Sequence, residues 1–215
     1  LSLINRDIIW VTAHIRGGME RGMKWWKEGK LLNKKNTFED YIAVAKFLIE
    51  KKYTSSKKII GMGGSAGGLL MGAVVNQTPE LFLGIIMAVP FVDSLTTNLD
   101  HTLPLTVGEF EEFGNAKNNK EHFDYIFSYA PYNNVKKMNY PHMLITTSLS
   151  DNRVLFDEPA KFTAKLREYK TDNNLLLLKT EMKAGHGGKS GRDGAIEEIA
   201  IDYAFALKIS KKINS

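Results

Sequence analysis

The chain contains no cysteine. That excludes a disulfide framework and every thiolate-based metal or redox site. It suits a reducing compartment, so the cytoplasm is the expected location. Histidine is scarce, with five in all, and there is neither an H-E-x-x-H segment nor a cluster of metal-ligating residues, so no metal and no cofactor is expected. No G-x-x-x-x-G-K-[ST] loop is present, which removes the common nucleotide-phosphate cradle. The longest apolar run, residues 81–92, is too short to cross a bilayer, and the start lacks the basic-then-apolar pattern of a secretory signal. No membrane association is expected. The net charge is only +5. Its basic surplus is scattered as pairs such as Lys34-Lys35, Lys51-Lys52, Lys57-Lys58 and Lys136-Lys137. Dispersed pairs read as a solvated surface, so nucleic acid is not an expected partner.

What is present fits one domain of 215 residues. Five segments are apolar on nearly every residue and are bounded by turn formers: 8–15, 58–63, 84–90, 142–149 and 175–182. Continuous apolarity marks parallel strands covered on both faces. Between them lie helical patterns at 37–51, 157–170 and 195–209. The first opens with Thr37 followed by Asp40, close to a capping box. Alternating strands and helices predict a doubly wound, mostly parallel α/β sheet. The least regular stretch, 91–141, reads as an insertion or cap over a site.

The stretch from Gly61 to Leu70 reads GMGGSAGGLL. Gly63-Gly64-Ser65-Ala66-Gly67 matches G-x-S-x-G, between an expected strand and an expected helix. That is the context of a nucleophile elbow, a turn so tight that side chains at its flanks would clash while the serine hydroxyl stands clear. Ser65 is therefore a candidate nucleophile, and the Ala66 N–H a candidate oxyanion donor at the start of the following helix.

A nucleophilic serine needs a base, and the base needs an orienting acid. In α/β-hydrolases these follow the serine in the order acid, then histidine. His14 and His142 fall on or beside expected strands, and His101 and His122 in the irregular region. His186 alone follows the last strand in a glycine-rich loop, so it is the expected base. Asp151 directly follows the strand at 142–149 and is the expected acid. Asp157 and Glu158 are rivals, but they read as acids in the first turn of a helix, where they are common.

The segments GMGGSAGGLLMGAVVNQTPELF, VPFVDSLTTNLDHTLPLTVGEFEEFGN, SYAPYNNV and GHGGKSGR together resemble the prolyl oligopeptidase family of serine peptidases, and within it the branch that cleaves after Arg or Lys. The similarity runs over nearly the whole chain. It implies an α/β-hydrolase catalytic domain with Ser65, Asp151 and His186 as its triad, cleaving short peptides with basic residues. It also implies that Glu109 and Glu111 hold the basic side chain, where the residues alone favour a solvated acidic face.

The resemblance further implies parts that are missing. Members carry a seven-bladed β-propeller ahead of the catalytic domain. The segment 8–15 corresponds to the fourth strand of the full sheet, so the preceding strands are lacking, together with a tyrosine oxyanion donor. The expectation is a truncated catalytic domain that folds poorly or is inactive alone, needing a propeller portion or a second polypeptide. An esterase-type acyl hydrolase and a non-catalytic remnant remain open as alternatives.

Overall fold

The computed structural model describes residues 2–212. Its helices are α1 (Met23–Lys27), α2 (Lys35–Glu50), α3 (Ala66–Gln77), α4 (Ser94–Leu99), α5 (Phe110–Phe113), α6 (Lys120–Phe127), α7 (Asp157–Tyr169) and α8 (Gly191–Ile209). Its strands are β1 (Ile60–Gly64), β2 (Gly84–Ala88), β3 (His142–Ser148) and β4 (Leu176–Glu181), hydrogen-bonded in that order. All three pairings are parallel.

The apolar runs follow from burial on both faces. On β2, Ile85 and Met87 join the larger core with α3, α2 and α7, whereas Ile86 between them joins a second core under α8. On β3, Met143 and Ile145 face the larger core and Leu144 faces α8. Successive strand side chains point to opposite faces, so a strand covered twice has no polar side to show. Helix α3 is buried along most of its length, from Gly68 to Asn76. It lies between the sheet and α2, whose Phe38, Ile42 and Ala45 form the packing stripe.

One expected strand does not form. Residues 8–15 are irregular, with Ile9, Trp10 and Val11 exposed. A strand exists only by pairing. Among the described residues β1 pairs with β2 alone, and residues 8–15 form no ladder with its other edge.

The expected cap at Thr37 is also displaced. Helix α2 begins earlier, at Lys35. The Thr37 hydroxyl donates to the Arg16 carbonyl at 2.8 Å. Asp40 takes the Arg16 guanidinium in a two-pronged contact of 2.6 and 2.8 Å, and also the Arg16 N–H at 2.9 Å. That guanidinium holds the Asp40 carboxyl below its ordinary range. These side chains anchor an incoming loop instead of capping a helix.

Residues 91–141 contain α4, α5 and α6. Phe91, Val92, Leu95, Phe113, Ile126 and Tyr129 belong to the same core as α3. The segment is thus continuous with the body of the fold. Not every paired lysine is solvated: Lys34 is buried, and its ammonium contacts Glu112 at 2.6 Å.

Candidate active site

Ser65 sits at the carboxyl end of β1, where the chain turns into α3. Its backbone is at φ 55, ψ −117. A non-glycine residue there carries strain of about 1–3 kcal/mol, which surrounding contacts must hold in place. They do so from three sides: the Ser65 N–H donates to the Ala88 carbonyl at 2.8 Å, and the Ser65 carbonyl accepts from Gly68 and Phe91 N–H at 2.9 and 3.1 Å. Glycine is required at two neighbours. A Cβ on Gly63 would lie 2.3 Å from the Gly67 carbonyl oxygen, and one on Gly68 would lie 2.3 Å from Pro90 Cβ. Gly67 itself faces open space, so the crowding at the elbow comes from Gly63.

Asp151 follows β3 and is 4% exposed. Its Oδ1 accepts the N–H groups of Arg153 and Val154 at 2.9 and 3.0 Å. Its Oδ2 stands 2.8 Å from His186 Nδ1. His186 lies in a tight turn after β4, closed by the Gly188 N–H on the Gly185 carbonyl at 3.1 Å, and the Ser150 N–H on the Ala184 carbonyl ties this turn to the Asp151 loop. His186 Nε2 is 3.0 Å from Ser65 Oγ. An ionised Asp151 can only accept, so Nδ1 carries the ring proton and Nε2 is free to accept the serine proton. Ala66 is the first residue of α3. Its N–H is one of the donors a helix start leaves without an internal partner.

The pocket beside Ser65 and Ala66 is lined by Phe91, Thr97, Leu103, Leu105, Thr106, Glu109, Phe113, Arg153 and Val154. Glu109 is the acid in it. Burial, and secondarily the charge of Glu112, push its carboxyl above the ordinary value, opposed by Arg153 and Lys34. Glu111 is not among the lining residues. Its carboxylate meets Lys30 at 2.8 Å, and its side chain is 75% exposed. Glu109 is the N-cap of α5, with Glu111 and Glu112 in its first turn. Residues two apart on a helix point to different sides, so the structure brings Glu109 to Ser65 and turns Glu111 away. Glu112 accepts from Trp26 Nε1 at 2.8 Å, which fastens α5 to α1.

The remaining histidines sit outside this site. His142 Nδ1 accepts the Leu175 N–H, His122 Nδ1 accepts the Asn115 N–H, His101 packs edge-on to Phe110, and His14 is exposed beside Glu20. Among the described residues no group of ligating side chains could hold a metal ion, and no helix is long and apolar enough to cross a membrane. The sequence reading passed over Thr97, Thr106 and Arg153. The available signal for Thr106 and Arg153 was their closeness to Glu109 and Asp151 in the chain; Thr97 had none.

Residues 1–212 match the prolyl oligopeptidase family. The chain is 53% identical over 207 residues to Protease 2 of Moraxella lacunata, covering 96% of this chain and 30% of that protein. It is 47% identical over 207 residues to dipeptidyl aminopeptidase BI of Pseudoxanthomonas mexicana, covering 96% of this chain and 28% of that one. The solved structure of oligopeptidase B from Leishmania major superposes with a TM-score of 0.90 at 48% identity, over 93% of this chain and 28% of that one. The chain therefore spans about 30% of the length of the curated relatives it matches.

Proposed function

Because this chain belongs to the prolyl oligopeptidase family, we propose that it carries the catalytic chemistry of a serine peptidase that cleaves peptides after Arg or Lys. The observation that carries the reading is the Ser65–His186–Asp151 alignment, with contacts of 3.0 and 2.8 Å. Ser65 Oγ attacks the scissile carbonyl carbon and its proton passes to His186 Nε2. Asp151 holds the imidazole and stabilises the imidazolium that forms. The Ala66 N–H receives the developing oxyanion. His186 then protonates the leaving amine, and water releases the acyl group by the same steps in reverse.

Glu109 supports the basic-residue part of the proposal. It is an acid in a pocket otherwise lined largely by apolar and hydroxyl side chains, where a guanidinium gains a charge-assisted hydrogen bond. Glu111, engaged by Lys30, has no such role in this reading. Further polypeptide of the same peptidase would pack on the open edge of β1 and on the exposed Ile9, Trp10 and Val11.

The test is labelling of Ser65 by a fluorophosphonate, followed by hydrolysis of arginyl and neutral peptide amides with blocked and free amino ends. Labelling that disappears in Ser65→Ala, with faster cleavage after Arg, is the expected result. Labelling with hydrolysis of simple esters alone would move the function to an esterase. Dependence on a free amino end would move it to an aminopeptidase.

A further inference from the structure

Glu158 is an enclosed carboxylic acid, 3% exposed, that the triad does not use. It lies in the first turn of α7. Both its oxygens are engaged by one short element that contributes to the pocket wall. Oε2 accepts the N–H of Asp93 at 2.9 Å, and Oε1 accepts the Thr97 hydroxyl at 2.6 Å. Asp93 is the N-cap residue of α4, and Thr97 lies one turn along it.

The hydrogen bonds continue from there. The Thr97 carbonyl accepts the Thr106 hydroxyl at 3.0 Å. The Thr106 carbonyl accepts the Glu109 N–H at 3.3 Å. Thr97, Thr106 and Glu109 all line the pocket beside Ser65. Lys161, also on α7, grips the Asp93 carboxylate at 2.7 Å. Helix α7 thus holds the pocket wall by two side chains. Enclosing a carboxyl group is unfavourable unless its hydrogen bonds are made, and both bonds of this one go to that wall.

We propose that Glu158 is a positioning residue for substrate specificity: it sets α4, and through Thr106 the turn that carries Glu109, at the distance from Ser65 that a basic side chain requires. The inference rests on the reading of Glu109 as the acid that receives that side chain. Glu158 touches neither the nucleophile nor its base, so its effect falls on recognition and not on the triad.

Glu158→Ala and Glu158→Gln, made in the full chain, test this. Glutamine can accept the Asp93 N–H through Oε1 and donate to the Thr97 hydroxyl through Nε2, so it keeps the wall in place. Alanine releases it. Losing hydrogen bonds to a buried carboxylate should raise KM for an arginyl amide by about tenfold. KM for a neutral amide, kcat, and the rate of Ser65 labelling by a small fluorophosphonate should change little. Glu158→Gln should restore the arginyl KM. An arginyl-to-neutral KM ratio unchanged in Glu158→Ala overturns the proposal, as does failure of Glu158→Gln to restore it. If Glu158→Ala does not fold by circular dichroism, Glu158→Asp, one carbon too short to reach both the Asp93 N–H and the Thr97 hydroxyl, is read in its place, against Glu158→Gln, under the same two criteria. A wild-type chain without preference for Arg would instead remove the reading of Glu109, and this inference with it. A preference that survives both substitutions removes the inference alone.

Discussion

His186 Nε2 stands 3.0 Å from Ser65 Oγ although 121 positions separate the two in sequence. The same ring reaches back to Asp151 at 2.8 Å. Three loops at the carboxyl ends of parallel strands therefore meet at one point, as open α/β sheets arrange their sites.

Asp151→Asn separates geometry from charge. The asparagine carbonyl can keep the Arg153 and Val154 N–H bonds that shape the loop. Its amide nitrogen, however, donates to His186 Nδ1 and forces the ring proton onto Nε2, which can then no longer accept from Ser65. The same change in a comparable triad lowers kcat by about 10⁴-fold. We expect a loss of that order, with KM and the circular dichroism spectrum little altered. Turnover within tenfold of wild type would show that the histidine is not held by the acid.

Glu109 and Glu111 should behave differently despite their spacing. Glu109→Gln removes the carboxylate from the Ser65 pocket. Removing one partner of a buried charged pair costs about 2–5 kcal/mol, so kcat/KM for arginyl substrates should fall by at least about thirtyfold while neutral substrates are spared. Glu111→Gln breaks only an exposed contact to Lys30 and should change either substrate by less than about fivefold. Burial raises the Glu109 carboxyl above its ordinary value. Preference for Arg should therefore fade, as pH falls, at a higher pH than an ordinary glutamate would give. Equal effects of the two substitutions would contradict the separation seen in the structure.

The elbow predicts opposite outcomes for the two glycines that flank it, Gly63 and Gly67. Gly63→Ala drives a Cβ to 2.3 Å from the Gly67 carbonyl. Overpacking against backbone should cost about 1–3 kcal/mol and displace Ser65, so fluorophosphonate labelling should collapse. Gly67→Ala meets nothing within 4 Å. It lies in the first turn of α3, where alanine is the better helix former by up to about 1 kcal/mol. Thermal melting and labelling of the two variants, measured side by side, check both.

Glu158 gives stability a defined pH dependence. Burial pushes its carboxyl up to about 7. The facing groups are Asp93 on α4's N-cap, which also raises it, and on its own helix Asp157, with Lys161 bridging both aspartates at 2.7 and 3.0 Å. A folded-state value above the unfolded one means that the fold favours the neutral acid. That contribution is complete below the unfolded value of about 4.3 and is lost as pH rises through 7. Melting temperatures of wild type should therefore fall between pH 5 and 8 relative to Glu158→Gln, which cannot titrate. Asp202, raised to about 6 by burial, is common to both proteins and cancels. Parallel melting curves would show that the acid is solvated.

Much of the fold was legible in the sequence. The apolar runs at 84–90 and 142–149 became β2 and β3 because alternate residues are buried on opposite faces. The run at 8–15 is comparably apolar and forms no strand. Apolarity records what a strand would bury, while a strand also needs a neighbour for its backbone. The sequence likewise read Asp157 and Glu158 as equivalent first-turn acids. Asp157 lies at the surface beside Lys161, and Glu158 is enclosed beneath α4.

The sequence by itself determined the α/β class, the order Ser65, Asp151, His186, and the elbow that strains the serine. These are local or ordered features: turn sterics, strand ends, and the loops that follow them. Only the tertiary structure decided which acid lines the pocket, that Glu111 turns to Lys30, and that Glu158 reaches α4. Those outcomes depend on the rotation of a short helix and on the contacts of side chains distant in the chain, which no spacing of residues encodes.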